Sequence, residues 1–149
     1  IKGVEDGVGS ELEGARYPID QIARFVAVTG VDLFAPAIGT AHGRYSAAPR
    51  LSPERIDALV AATGLPQVLH GGTGLNAADL ADLVSRGCAK VNVSTAIKES
   101  YLKAGLAHLT AAQQRDRWDP PSFFEAVESA AAATAGEHMR VLGSAGKAP

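Results

Sequence analysis

Three clusters of glycine and polar residues follow three short apolar runs of the sequence. They lie at 37–43 (AIGTAHG), 70–74 (HGGTG) and 92–95 (NVST). Glycine reaches positive φ without a Cβ clash, so backbone N–H groups in such segments can close around an anion. Thr73 and Thr95 add hydroxyl donors, and Thr95 stands where a helix is predicted to begin. The pattern indicates a phosphate site, although a glycine run of this kind can also be a plain tight turn.

Two histidines, His42 and His70, stand at the tips of successive predicted strands, and each is followed by glycine. Imidazoles from neighbouring strands can bind one zinc ion at about 2.0–2.1 Å, and a catalytic zinc usually has three protein ligands. Cys88, His108 and His138 do not fall at this edge, so we expect the third ligand outside these 149 residues. A histidine at such an edge can also act as a general acid–base group without metal, and that alternative stays open.

The elements that must position these residues alternate between helices and short apolar strands. Helices are predicted over residues 18–29, 53–63, 77–86, 95–114 and 122–142, and strands over 31–38, 67–69 and 89–93. Ser52 and Asn76 are the expected N-caps, while Gly30 and Gly64 are the expected helix ends. This alternation predicts an α/β fold with a parallel sheet covered on both faces. Because a βα barrel needs eight strands, we expect the C-terminal part of a (β/α)8 TIM barrel whose N-terminal strands are missing from this chain.

The composition is ordinary for one globular domain, with 46% hydrophobic and 20% charged residues in a chain of 149. A net charge of −2 gives no electrostatic footprint for nucleic acid, and no apolar run is long enough for a membrane span. The single Cys88 makes a reducing cytoplasm the expected location. We predict one partial domain over 1–149, with a loop over 1–16, βα units over 17–114 and a helical extension over 115–149.

Six motifs occur in an order and at spacings that are typical of one enzyme family. They are GVEDG at 3–7, TGVD at 29–32, AIGTAHGRY at 37–45, VLHGGTG at 68–74, KVNVST at 90–95 and GSAGKA at 143–148. Together they resemble the C-terminal half of the class II, zinc-dependent fructose/tagatose-bisphosphate aldolases, over nearly the entire chain. The resemblance implies reversible cleavage of a ketose bisphosphate to dihydroxyacetone phosphate and an aldehyde, and a homo-oligomeric enzyme of carbohydrate metabolism.

The resemblance also implies roles for individual residues. His42 and His70 match zinc ligands, Asn92 matches a residue near the reacting carbons, and Glu5 matches an acid that moves a proton. Lys98 matches a cation for the second phosphate in some relatives. The residues implied to hold dihydroxyacetone phosphate are Gly43, Gly71, Gly72, Thr73, Asn92, Val93, Ser94 and Thr95. Backbone oxygens around Gly43 and Gly71 are implied to hold a monovalent cation, Na⁺ or K⁺.

Departures from the family pattern limit what these residues are expected to do alone. The family's main acid–base group is an Asp directly before the first zinc histidine, and no Asp-His pair occurs in this sequence. We therefore expect that the chain alone does not turn over substrate. Ser94 stands where relatives acting on fructose bisphosphate often have Asp, which favours another ketose bisphosphate. Two other functions remain open: a metal-free barrel isomerase that uses His70 as acid–base, and a non-catalytic remnant that binds sugar phosphate.

Overall fold

The computed structural model describes residues 16–42 and 48–147, and within them the chain forms an α/β arrangement of helices and parallel strands. The elements are α1 Ile19–Thr29, α2 Glu54–Thr63, β1 Gln67–Leu69, α3 Ala77–Ser85, β2 Cys88–Val91, α4 Thr95–Arg115 and α5 Pro120–Val141. They belong to two compact units, Ile1–Val93 and Ser94–Pro149. No helix of the described part is long and apolar enough to cross a membrane. The predicted division at residues 16 and 114 remains a prediction.

The sheet of the first unit is a parallel pair, as the sequence predicts. β1 and β2 pair with Val68 opposite Lys90 and Leu69 opposite Val91. Helix α3 connects them, which is the crossover that a parallel pair requires. It begins at Asn76, whose side chain accepts a hydrogen bond of 2.8 Å from the Asp79 N–H, so the predicted N-cap is confirmed. The buried apolar residues of this unit are Ile22, Ile38, Ile56, Leu59, Val68, Leu69, Leu80, Leu83 and Cys88.

The strand predicted over 31–38 is wrong. In this segment the described chain makes one isolated parallel bridge, from Phe34 to Gln67, in which the Val68 N–H donates to the Phe34 carbonyl at 2.8 Å. Residues two apart in a strand face the same neighbour, so the next donor toward β1 would be residue 36. That residue is Pro36, which has no N–H, and the ladder ends there.

Helix and strand ends differ from the prediction by a residue or two. Gly30 and Gly64 close α1 and α2 in the left-handed region, at φ of 64° and 67°, as expected. Ser52 is not the N-cap of α2. The carbonyls of Ser52 and Pro53 each accept from an N–H three residues on, so regular helix begins only at Glu54. β2 starts one residue before the predicted 89–93 strand and ends two residues earlier.

The second unit is a pair of packed helices, α4 and α5. Gly105 of α4 lies against Phe123, where an added Cβ would come within 3.3 Å of the ring, so the missing side chain allows close packing. Asp116 ends α4 in the left-handed conformation at φ 47°. Helix α5 begins at Pro120 and not at the predicted 122, because a proline in the first turn loses no intrahelical hydrogen bond.

Candidate metal and substrate site

His42 and His70 face each other at one end of the sheet in the first unit. His70 follows β1 directly, and His42 lies at the end of the segment that pairs through Phe34. The His42 Nε2 and His70 Nδ1 atoms are 3.1 Å apart, and the two rings are nearly parallel, with centroids 5.3 Å apart and planes at 14°. The two imidazoles thus lie close together, as expected, although only His70 follows a strand.

Asn92 completes a row of three polar side chains. It follows β2, and its Nδ2 lies 3.1 Å from the Nε2 atom of His70. Its backbone is held on both sides: the Asn92 N–H donates to the Leu69 carbonyl at 2.8 Å, and the Asn92 carbonyl accepts from the Gly72 N–H at 3.4 Å. Both ring nitrogens of His70 therefore have a polar neighbour.

At Gly71 the two histidine-bearing segments lie in close contact. Its φ is 71°, and a Cβ built on it would lie 2.1 Å from the carbonyl oxygen of Ala41. Only glycine fits this contact, because an L side chain would meet backbone and would also be strained at positive φ. Since Ala41 and Gly71 directly adjoin His42 and His70, we expect this contact to control the distance between the imidazoles.

Gly72 and Thr73 are enclosed by the rest of the first unit. Both are buried, and a Cβ on Gly72 would lie 2.8 Å from the Val91 side chain and 3.3 Å from the Asn92 carbonyl oxygen. The Gly72 N–H already donates within the protein, to Asn92. Its use as a phosphate donor therefore stays a prediction, as does that of Gly71 and Thr73.

The surroundings of His70 favour its neutral form. Partial burial lowers the pKa of His70 below its ordinary value, and the nearby His42 and Lys90 lower it further. Lys90 pairs with Val68 in the sheet and lies two residues before Asn92, so strand alternation places it on the face of the sheet that carries His70. Sequence reasoning did not single out Lys90, although this same two-residue spacing was available to find it.

The donor set suits zinc. Neutral imidazole nitrogen is a common zinc ligand, and two such ligands on a tetrahedral ion stand about 3.3 Å apart, close to the separation of His42 and His70. Among residues 16–42 and 48–147, no group of three or more His, Cys, Asp or Glu side chains could hold a metal ion. The pair could supply two of the three protein ligands that a catalytic zinc usually has.

The remaining predicted site residues are Glu5, Gly43, Val93, Ser94, Thr95 and Lys98. Glu5 and Gly43 lie outside the described residues, and so the monovalent cation around Gly43 remains a prediction. Ser94 and Thr95 begin the second unit, at the start of α4, and the Lys98 N–H donates to the Ser94 carbonyl at 3.0 Å. Val93 is the last residue of the first unit. The roles of these residues as substrate ligands remain predictions.

A family model decides which proteins this chain is related to. The model for class II fructose-bisphosphate aldolases matches residues 1–147. The chain belongs to the class II fructose-bisphosphate aldolase family. This membership confirms the resemblance inferred from the motifs.

Individual relatives match this chain over nearly all of its length. It is 37% identical over 149 residues to a probable fructose-bisphosphate aldolase of Bacillus subtilis (strain 168), covering 99% of this chain and 51% of that protein. Among solved structures, the YdjI aldolase of Escherichia coli K12 matches with a TM-score of 0.73 at 30% identity, over 91% of this chain and 48% of that one. A candidate fructose-1,6-bisphosphate aldolase of Coccidioides immitis matches with a TM-score of 0.79 at 29% identity, over 99% and 50%. The chain thus spans about half the length of these relatives.

Proposed function

We propose that this chain carries the zinc-binding histidines of a class II ketose-bisphosphate aldolase. The enzyme would reversibly cleave a ketose bisphosphate to dihydroxyacetone phosphate and an aldehyde. The observation that carries the proposal is the 3.1 Å separation of the facing nitrogens of His42 and His70. Membership of the aldolase family supports the same reaction class.

His42 and His70 would hold the zinc ion through the nitrogens that face each other, Nε2 and Nδ1. A bound zinc ion would supply Lewis-acid polarisation of the substrate's ketone, which lowers the barrier to cleavage of the adjacent carbon–carbon bond. The low pKa of His70 keeps its imidazole neutral, so that a nitrogen lone pair is available near neutral pH. Lys90 adds a positive charge on the same face of the sheet, where it favours an anionic substrate.

Dihydroxyacetone phosphate would be bound beside this pair. The residues proposed to hold it are Gly43, Gly71, Gly72, Thr73, Asn92, Val93, Ser94 and Thr95. Asn92 would lie near the reacting carbons, Glu5 would move a proton, and Lys98 would bind the second phosphate. Backbone oxygens near Gly43 would hold Na⁺ or K⁺. Orientation of the substrate by such contacts contributes several kcal/mol to lowering a barrier.

The remainder of the site would come from outside these residues. We propose that the chain forms the C-terminal part of a (β/α)8 barrel, that the complete enzyme is a cytoplasmic homo-oligomer, and that the chain alone does not turn over substrate. The parallel β1–β2 pair with its helical crossover supports the barrel.

The test is complementation of the missing half. The chain is fused to the part of the Bacillus subtilis relative that it does not cover, and release of dihydroxyacetone phosphate from fructose and tagatose bisphosphates is followed with a coupled dehydrogenase. We expect activity from the fusion, none from the chain alone, and loss of activity in His42→Ala and His70→Ala. Sugar-phosphate binding by a folded fusion without any cleavage would instead indicate a non-catalytic remnant.

A further inference from the structure

We propose that Asn92 is a positioning residue that selects the tautomer of His70 and thereby sets the affinity of the site for zinc. The inference rests on the proposed metal site and goes beyond it, because it gives Asn92 a role toward a ligand of the metal. The observation behind it is that both ring nitrogens of His70 have a polar partner at 3.1 Å, Asn92 on one side and His42 on the other.

The two partners of His70 allow one self-consistent arrangement of protons. A neutral imidazole carries a proton on one nitrogen and a lone pair on the other. The Asn92 amide presents its Nδ2 to the Nε2 of His70, so the amide donates and Nε2 accepts. The proton of His70 then lies on Nδ1, from which it is donated to the Nε2 lone pair of His42. In this arrangement the hydrogen bonds run from Asn92 through His70 to His42.

Zinc binding requires the opposite tautomer. The nitrogen of His70 that faces His42 is Nδ1, and it can bind a metal only through a lone pair. The Nδ1 proton must leave to solvent and Nε2 must gain one from solvent, which changes the tautomer but not the charge of the ring. Asn92 must then turn its amide, so that Oδ1 accepts the new Nε2–H bond.

Asparagine suits this exchange because one side chain offers both a donor and an acceptor. The terminal torsion of asparagine is broad and close to two-fold, so the amide can turn over in place. The backbone of Asn92 need not move, since its hydrogen bonds to Leu69 and Gly72 do not involve the side chain. Aspartate at this position could only accept, and alanine could do neither.

These differences define the experiment. Zinc affinity is measured by calorimetry on the 149-residue chain, and the His70 tautomer of the metal-free protein is read from long-range ¹⁵N–¹H correlation spectra. We expect the Nδ1–H tautomer in the wild type. Asn92→Asp should shift His70 to the Nε2–H tautomer and strengthen zinc binding about tenfold. Asn92→Ala should give a mixture of tautomers and weaken zinc binding about 10- to 100-fold.

The matched control is Asn76→Asp, which makes the same change of charge at an N-cap of α3. We expect it to leave both the tautomer and the zinc affinity unchanged. An unchanged His70 tautomer in both Asn92 variants would overturn the inference, whatever happens to the affinity. A wild type that binds zinc no more tightly than the His42→Ala/His70→Ala double variant would refute the proposed metal site and the effect on affinity. The metal-free spectra would in that case still decide whether Asn92 selects the tautomer.

Discussion

Replacing Gly71 by alanine adds one methyl group, but it should lower both the stability of the chain and the zinc affinity of the site. Gly71 has φ of 71°, and the matched position Gly64 has φ of 67°, so an alanine at either is strained to a similar extent. That strain costs ~1–2 kcal/mol in the free energy of unfolding. Nothing lies within 4 Å of a Cβ at Gly64, and Gly64→Ala should therefore show this cost alone.

At Gly71 the added Cβ also meets backbone. It would lie 2.1 Å from the Ala41 carbonyl oxygen, whereas contacts of real Cβ atoms are essentially never shorter than 3.0 Å. One of the two segments must therefore move by about 0.9 Å. Forced overpacking of this kind adds ~1–3 kcal/mol. The displacement passes directly to His42, and a metal ligand tolerates errors of only about 0.2 Å. We expect Gly71→Ala to lose zinc binding as well as stability.

The assay is urea unfolding followed by circular dichroism, together with calorimetric zinc titration of both variants. Gly71→Ala should lose more stability than Gly64→Ala, and zinc affinity should fall at least about 100-fold in Gly71→Ala alone. If the two variants lose equal stability and Gly71→Ala keeps its zinc affinity, the contact between Ala41 and Gly71 does not control the distance between the two imidazoles. That result would refute the reasoning.

Three further predictions concern single side chains. Burial raises the pKa of the Cys88 thiol to about 11, so Cys88 should resist a thiol reagent at mildly alkaline pH until urea unfolds the chain; rapid labelling of the folded chain would contradict this. The pKa of His70 should be found below its ordinary 6.5 by NMR titration, and Lys90→Met should move it upward; an unchanged midpoint would remove Lys90 as a cause. Because the pKa of His70 is lower in the folded chain, the unfolded chain binds more protons below about pH 6.5. The resulting loss of unfolding free energy is absent above pH 6.5 and grows as the pH falls toward the pKa of His70 in the folded chain. Asn76→Ala should cost ~1 kcal/mol in unfolding free energy and Asn76→Ser much less, since only serine can still accept from the Asp79 N–H; equal losses in the two variants would contradict this.

Much of the fold could be predicted because its signals are local. Gly30 and Gly64 end helices at positive φ, a conformation that the residue type itself favours. The N-cap of α3 is also a local signal, because the Asn76 side chain reaches an N–H only three residues on. The meeting of His42 and His70 was predictable as well, because the ends of neighbouring parallel segments lie at one edge of a sheet.

Other features depend on pairing between distant residues. The apolar segment at 31–38 has the composition of a strand, but Pro36 removes the hydrogen bond that would continue its pairing with β1. The position of Lys90 depends on the register that sets it opposite Val68. The hydrogen bond of Asn92 to His70 depends on the same register, and motif similarity alone assigned Asn92 to substrate.

The zinc dependence of aldol cleavage tests the central claim most directly. The fusion of this chain to the uncovered part of the Bacillus subtilis relative is assayed for dihydroxyacetone phosphate after treatment with a chelator and again after zinc is restored. We predict that activity disappears with the chelator, returns with zinc, and is absent throughout in His42→Ala and His70→Ala fusions that fold normally. Undiminished cleavage by the chelated fusion, or by the histidine variants, would contradict the account and would favour metal-free chemistry at His70.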